Sequence, residues 1–572
     1  MLRRQFSKTN PFLLWLLSVL LLGLFFRFAN LGSKVFWVDE VATAMRLSGY
    51  TVQSVIEQVA AQGTVSVAEL RQYLSPTPQD FKTTLAVFKQ SPEHAPLYFL
   101  LARFWVQHGG NSPAALRSLS ALVSLLTFPG LYWLCWELWQ SARVGVIALM
   151  LLSVSPFYVT YAQEARPYSL WTVTILLSGA ALLRAIRLGT RRSWMLYAVT
   201  LVLGFYTFLL SIVVAVGQGI YVAVQRTVFK EYLLAIAASV IAFIPWLLVI
   251  GQHWQALQDN TTWMREPLAL PAMIAIWVAS ILLTFGDLPI PTTIDPIAIV
   301  GILVTLVGLI SIFLVWFGLK RGAAPRRRRS THRFALLIAG ALILGSTAVL
   351  YGVDLVTIVG VTSALGVLIL VVVSLSWLYA NTPYRTWGFV LAWSFLPFVL
   401  IVSDLITAGQ RSTAPRYLIP AQLGLIITVA GFLATRRSQV CLALLLSLGL
   451  VSCLLNVNQS PKYQKGQNVH NPALAAAINQ AQSPTLFAAA ADVPNLISLS
   501  ADLQPGVTIR IVPEVEYYRN RNVFLFNPSE AWRQQLGDRI EPVYQPQRYT
   551  GGEITLSLWQ VKNVRLNEHQ ED

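Results

Sequence analysis

Charge is scarce in this sequence. Of its 572 residues only 12% are Asp, Glu, Lys or Arg and 55% are apolar, whereas soluble domains carry about 25% charged residues. That excludes an ordinary soluble enzyme and makes the chain an integral membrane protein. Cysteine is scarcer still. Cys135, Cys441 and Cys453 each lie inside an apolar run, which argues against a disulfide framework or a thiolate metal site and reads as three small core residues. Acidic residues are outnumbered before residue 458, where 32 basic side chains face 15 acidic ones, while residues 458–572 hold 10 and 11. In a membrane protein such an excess marks cytoplasmic loops and not a nucleic-acid surface. No small-x-small cleavage site follows the first apolar run, so it reads as a retained span with its N-terminus in the cytoplasm. No Walker loop or nucleotide-sugar fold is legible on the cytoplasmic side, which leaves no obvious nucleotide donor.

What is present is a series of apolar runs near 20 residues, the length a bilayer requires. Loop Lys and Arg orient them. Expected spans cover about 11–28, 113–136, 144–162 and 168–184, a hairpin within 194–224, then 232–250, 296–319, 334–351, 355–378, 387–404, 417–434 and 440–456. The apolar run 270–285 is read as a helix lying in the outer interface. If it crossed, the basic block 320–333 would face outward. The result is thirteen crossings, with a long outer loop at 29–112. The acids give an independent check: 13 of the 15 before residue 458 fall on the outer side in this topology, all but Glu137 and Glu231.

Residues 458–572 contain no span. "PTLFAAAA", "VTIRIVP", "NVFLFNP" and "EITLSLWQVK" read as strands, and "NPALAAAINQAQ" and "PSEAWRQQLG" as helices. The expected architecture is a multi-pass α-helical membrane domain, 1–457, with interfacial helices in its first outer loop. A small extracytoplasmic α/β domain, 458–572, follows and reads as a lid or stability module.

Four polar clusters fall on the outer side. In "WVDE", Asp39 and Glu40 follow the first span; neighbours on a helix point about 100° apart, so one can enter a cavity while the other supports the helix. In "SPEHAPLYFLL", Glu93 and His94 stand before a helix start as acceptor-binding groups, metal ligands or plain helix-start residues. "YAQEARPYSLW" joins two spans through Gln163, Glu164, Arg166 and Tyr168, too polar for lipid contact: a cavity lining or an interfacial ion pair. "AGQRSTAPRYLIP" sets Arg411, Arg416 and Tyr417 at headgroup depth, where arginine suits phosphate through its bidentate fork or snorkels to lipid. A carboxylate base at one end and cations at the other suit transfer from a phosphate-linked lipid donor to a hydroxyl.

The order WVDE, SPEHAPLYFLL, YAQEARPYSL and RYLIP resembles the bacterial polyprenyl-phosphate-sugar-dependent glycosyltransferases of the GT-C fold. These include protein O-mannosyltransferases, lipid A aminoarabinose transferases and rhizobial lipopolysaccharide core transferases. The resemblance covers about residues 1–250; the span count and tail look most like the aminoarabinose transferases. It implies an inverting hexosyl- or pentosyltransferase of the bacterial inner membrane, its C-terminal domain periplasmic. Partners would be a polyprenyl-phosphate sugar, a lipid, glycan or protein acceptor, and membrane lipids, with no nucleic acid. Asp39 would be the catalytic carboxylate with Glu40 beside it. Arg411, Arg416 and Tyr417 would hold the donor phosphate. Glu93, His94, Gln163, Glu164, Arg166 and Tyr168 would shape the acceptor or sugar side. No cofactor is implied beyond an optional divalent metal, for which Asp39 and Glu164 are candidates. One departure is Ala95, where the family's "HPPLYY"-like segment has proline. The rival readings are a transporter or flippase of lipid-linked saccharide, opposed by outer-interface acids and the lack of repeats, and a catalytically silent envelope-assembly relative.

Overall fold

The computed structural model describes residues 11–75, 81–226, 228–287, 355–436, 439–457, 466–513, 522–545 and 556–562. Helix α1 (Pro11–Phe28) leads into a long loop that is itself helical: α2 (Val38–Leu47), α3 (Val52–Gln62), α4 (Val67–Arg71), α5 (Phe81–Lys89) and α6 (Leu97–Gly109). Reciprocal caps start two of these. Thr51 pairs with Ser54 at α3, and Ser66 with Glu69 at α4. The bundle continues with α7 (Pro113–Ser124), α8 (Thr127–Trp139), α9 (Ala142–Ser153), α10 (Pro156–Ala162) and α11 (Tyr168–Leu188). Further helices at Arg191–Thr207 and Ser211–Gln225 pack on α11 and those at Ile419–Arg436 and Gln439–Asn456 on α9, while Phe229–Gln252 lies against Arg191–Thr207 and Leu355–Asn381 against Ile419–Arg436.

Among the described residues, six helices are long and apolar enough to cross a membrane, or eight if two bent pairs count as one span each. Thirteen crossings are therefore not confirmed; the expected spans 296–319 and 334–351 and the basic block 320–333 lie outside the described residues. The expected third span, 144–162, is broken. α9 and α10 meet at 64°, because Pro156 has no N–H to give the preceding turn. Arg27 of α1, itself buried, donates to the freed carbonyls of Ser153 (2.9 Å) and Leu152 (3.2 Å) and to Gly23 O (2.8 Å). Gly23 permits the approach, since a Cβ there would stand 2.6 Å from Ser153 O. The helix Leu270–Leu283 follows a segment whose Met264 carbonyl accepts from Gln410 N–H, and beyond its end Asp287 accepts from Asn456 at 2.8 Å. The cysteines are free, two of them fully buried.

The C-terminal region forms a six-stranded sheet. The strands are β1 (Thr64–Ser66), β2 (Thr485–Ala488), β3 (Thr508–Ile511), β4 (Val523–Phe526), β5 (Ile540–Tyr544) and β6 (Leu558–Val561), in spatial order β1-β3-β2-β4-β6-β5. β2 runs parallel to β3 and β4; the other pairings are antiparallel. Alternation sorts the faces: Leu486, Ala488, Ile509 and Phe524 join the main core with the helix Val493–Ser500, while Phe487, Val523 and Leu525 pack on Trp532. The edge strand β1 comes from the loop between α1 and α7, with Val65 opposite Ile509. Arg71 of α4 adds hydrogen bonds to the carbonyls of Ser500 and Leu503. Thus the loop and the tail share one sheet. In the turn that follows β2, burial raises the Asp492 carboxyl to about 6, although Asn527 donates to it.

Candidate active site

α2 begins as Trp37 leaves extended backbone (φ −81°, ψ 168°) and places Asp39 and Glu40 in the first turn, where the helix dipole favours carboxylates. The two acids then part. Glu40 turns inward, is fully buried, and meets the fully buried Arg117 of α7 in a two-bond fork: Nε to Oε1 at 2.8 Å and Nη2 to Oε2 at 2.6 Å. Arg117 also donates to the carbonyls of Leu31 (2.6 Å), Lys34 (3.1 Å) and Val35 (2.8 Å). All five of its N–H donors are thereby used. Glu40 in turn accepts the Ala165 N–H at 2.9 Å, which ties α2 to the polar link between α10 and α11. Asp39 faces the other way and keeps 28% of its side chain exposed, with Arg166 Nη2 3.7 Å from its carboxylate.

The link 163–168 supplies the next wall. Gln163 donates to the Phe26 and Ala29 carbonyls at 2.6 and 2.8 Å and accepts from Lys34. Glu164 accepts from Trp37 Nε1 at 3.1 Å. Both are buried and engaged in holding the link against α1 and the start of α2. Arg166 donates to Asp39 O (3.2 Å) and Thr43 Oγ1 (3.3 Å). Burial works against its charge, but Tyr168 and Asp39 outweigh that and hold its pKa above the usual value.

Arg416 enters from the turn Pro415–Leu418, its guanidinium carbon 5.2 Å from the Tyr417 ring, 5.4 Å from Trp263 and 6.0 Å from Tyr168. It interacts through space with Asp39 and Tyr161 as well. Its Nε and that of Arg166 are buried and make no hydrogen bond. Two cations, three tyrosines and one partly exposed acid therefore converge. Arg411 does not join them. It lies against Asp404 (3.2 Å) and Thr407 (2.8 Å), and Asp404 also accepts the backbone N–H groups of Arg411 and Ser412. This is a helix-end clamp on Phe395–Thr407.

Glu93 and His94 flank the cluster. Glu93 lies 3.7 Å from Arg46 Nη2 and accepts from Asn260 at 3.2 Å. Burial pushes Arg46 down to about 10 against the pull of Glu93, and its Nη1 makes no hydrogen bond. His94 packs against Phe99 and stands 3.5 Å from Glu93. Burial first, then the Arg46, Arg166 and Arg416 guanidinium groups, hold its imidazole well below the ordinary 6.5. Among the described residues no three His, Cys, Asp or Glu side chains are grouped to hold a metal ion.

The neutral His94 has a stability consequence. Below pH 6.5 the unfolded chain takes up a proton that the folded chain refuses, so stability falls as pH drops through 6.5 and onward. The slope is at most about 1.4 kcal/mol per pH unit for one group. Unfolding midpoints measured between pH 7.5 and 5 should show this decline, flattened in His94→Gln; an unchanged slope would contradict the assignment.

Residues 93–250, which span Glu93, His94 and the whole 163–168 link, match the family model of dolichyl-phosphate-mannose-protein mannosyltransferases. That match supports the GT-C superfamily. No curated protein sequence matches the chain. Among solved structures, ArnT from Cupriavidus metallidurans bound to undecaprenyl phosphate is similar at 14% identity and TM-score 0.38, over 98% of this chain and 99% of that one. The apo form of ArnT gives 13% and 0.39, over 97% and 98%. The archaeal oligosaccharyltransferase AglB from Archaeoglobus fulgidus, in complex with an inhibitory peptide and a dolichol-phosphate, gives 11% and 0.39, over 87% of this chain and 65% of that one. Scores this low carry no residue-by-residue correspondence.

The site also contains residues that sequence reasoning missed. Arg117 had a signal, a lone charge in an apolar helix, which in membranes seeks a partner; its partner was not legible. Arg46 had a weaker one, a basic residue closing the amphipathic "VATAMRL" helix. Trp37 and Lys34 look like ordinary interfacial residues, and only the fold turns them toward Glu164 and Gln163.

Proposed function

We propose that the chain is a membrane glycosyltransferase that moves a sugar from a polyprenyl-phosphate carrier to an acceptor hydroxyl on the outer face of the bacterial inner membrane, with inversion. The observation that carries this reading is the partly exposed Asp39 carboxylate 3.7 Å from Arg166, with Arg416 within its electrostatic reach. Asp39 takes the proton of the acceptor hydroxyl as its oxygen forms the bond to the sugar's anomeric carbon. The bond from that carbon to the phosphate oxygen breaks, and the carrier leaves as polyprenyl phosphate with the electron pair. Arg416 and Arg166, whose Nε atoms are buried without a partner, stabilise the negative charge that develops there. Tyr168 and Tyr417 hold Arg416 between their rings. Arg411, clamped by Asp404, does not serve the phosphate in this scheme.

Mass spectrometry of membrane lipids and glycans in a deletion strain tests the reading. The strain should accumulate one lipid-linked sugar on the outer leaflet and lose that sugar from one acceptor. Accumulation on the inner leaflet would instead indicate a flippase. In the same strain Arg416→Ala should restore about 10²–10³-fold less transfer than the parent, the size of losing a preorganised charge partner. Full restoration by Arg416→Ala would remove Arg416 from the mechanism.

A further inference from the structure

We propose that the C-terminal domain is a working part of the transferase, because Asn468 caps the helix that carries Asp39; the catalytic side of this inference rests on the function proposed above.

A helix begins with N–H groups that have no intrahelical partner, and a preceding Ser, Thr, Asp or Asn side chain ordinarily accepts one. α2 lacks that device. Its N-cap is Trp37, which makes no side-chain cap bond. The acceptor comes from elsewhere in the chain: Asn468 Oδ1 takes the Val38 N–H at 3.0 Å, across 430 residues. Asn468 is fully buried, and its Nδ2 donates to Asn495 Oδ1 at 3.1 Å, which fixes the amide with its oxygen toward α2. A second bond acts two residues earlier. Ser498 Oγ donates to the Phe36 carbonyl at 2.6 Å and accepts from Asn471 Nδ2 at 2.8 Å. Residues on both sides of Trp37 are thus gripped by two side-chain pairs of the C-terminal domain, Asn468 with Asn495 and Ser498 with Asn471.

This grip is separate from the Arg117 clamp. Arg117 holds Glu40 and the carbonyls of residues 31, 34 and 35, so without Asn468 the inward side of α2 stays anchored. What loosens is the first turn, and Asp39 is its second residue. Asn468 reaches no reacting atom; it is a positioning residue.

The test uses the full chain in lipid nanodiscs with Asn468→Ala and Asn468→Asp, the second keeping an acceptor oxygen while Asn495 turns its amide to donate. Hydrogen exchange read by mass spectrometry should show peptides covering residues 36–41 exchanging roughly tenfold faster in Asn468→Ala, the size of losing one helix cap. Peptides from β2, β3 and β4 should be unchanged, and Asn468→Asp should revert toward the parent. Turnover of the lipid-linked sugar extracted from the deletion strain should fall in kcat by a similar factor, with KM for that lipid unchanged. Unaltered exchange at 36–41, equal loosening of the strands, or a loss confined to KM would each overturn the proposal. If the parent protein transfers no sugar, the functional reading fails, and the exchange measurement still decides whether Asn468 caps α2.

Discussion

Asp39→Asn is expected to lower sugar transfer by about 10²–10⁴-fold, the range that loss of a general base produces, without unfolding the protein. Asparagine keeps the shape and the helical position but cannot accept the acceptor's proton. Folding should survive because Asp39 carries little of the architecture. Its side chain is 28% exposed, and its contact with Arg166 is a long 3.7 Å. The bonds that fix Arg166 run mainly to Asp39 O and Thr43 Oγ1, and these remain. Turnover in proteoliposomes, measured beside a thermal unfolding curve, separates the two effects. A folded Asp39→Asn protein with parental turnover would remove Asp39 as the base.

Replacing Arg117 should have the opposite profile, a collapse of folding before any question of catalysis. Arg117→Met leaves Glu40 as a fully buried carboxylate without its cation, a situation that costs roughly 3–5 kcal/mol. Three carbonyls lose their donors in addition, so the loss is comparable with the net stability of many domains, about 5–15 kcal/mol. The double variant Arg117→Met, Glu40→Leu removes the stranded charge. It should recover a substantial part of that loss, since a buried ion pair exchanged for apolar groups is often close to neutral. Yield and melting temperature of the purified single and double variants check this. A single variant as stable as the parent would show that the pair is not the anchor its geometry implies.

Much of this arrangement was legible in the sequence. Apolar runs marked α1, α7 with α8, and α11, because in lipid every backbone polar group must be satisfied within the helix. Short alternating runs marked β2, β3, β4 and β6. Asp39, Arg166, Tyr168 and Arg416 could be chosen as neighbours because polar groups at one depth have few places to go. The failures share a cause, a dependence on distant partners. β1 is three residues long and is a strand only beside β3. The break at Pro156 disappears in a hydropathy average, although the proline itself is visible. Arg411 and Arg416 stand in one motif and look interchangeable, yet Asp404 claims the first while the second lies among Tyr168, Trp263 and Tyr417. Nothing near residue 468 announces a cap for a helix 430 residues away.

The borrowed strand β1 also sets an order of events in the making of the protein. Thr64 leaves the ribosome long before Arg510, its partner in the sheet, and every intervening helix must be inserted meanwhile. Pairings so distant in sequence form late. The loop 29–112 therefore waits, its edge unpaired, until β3 has been made. A chain stopped before β3 would keep the Arg117 anchor on Glu40 but leave residues 64–66 without a strand to pair with.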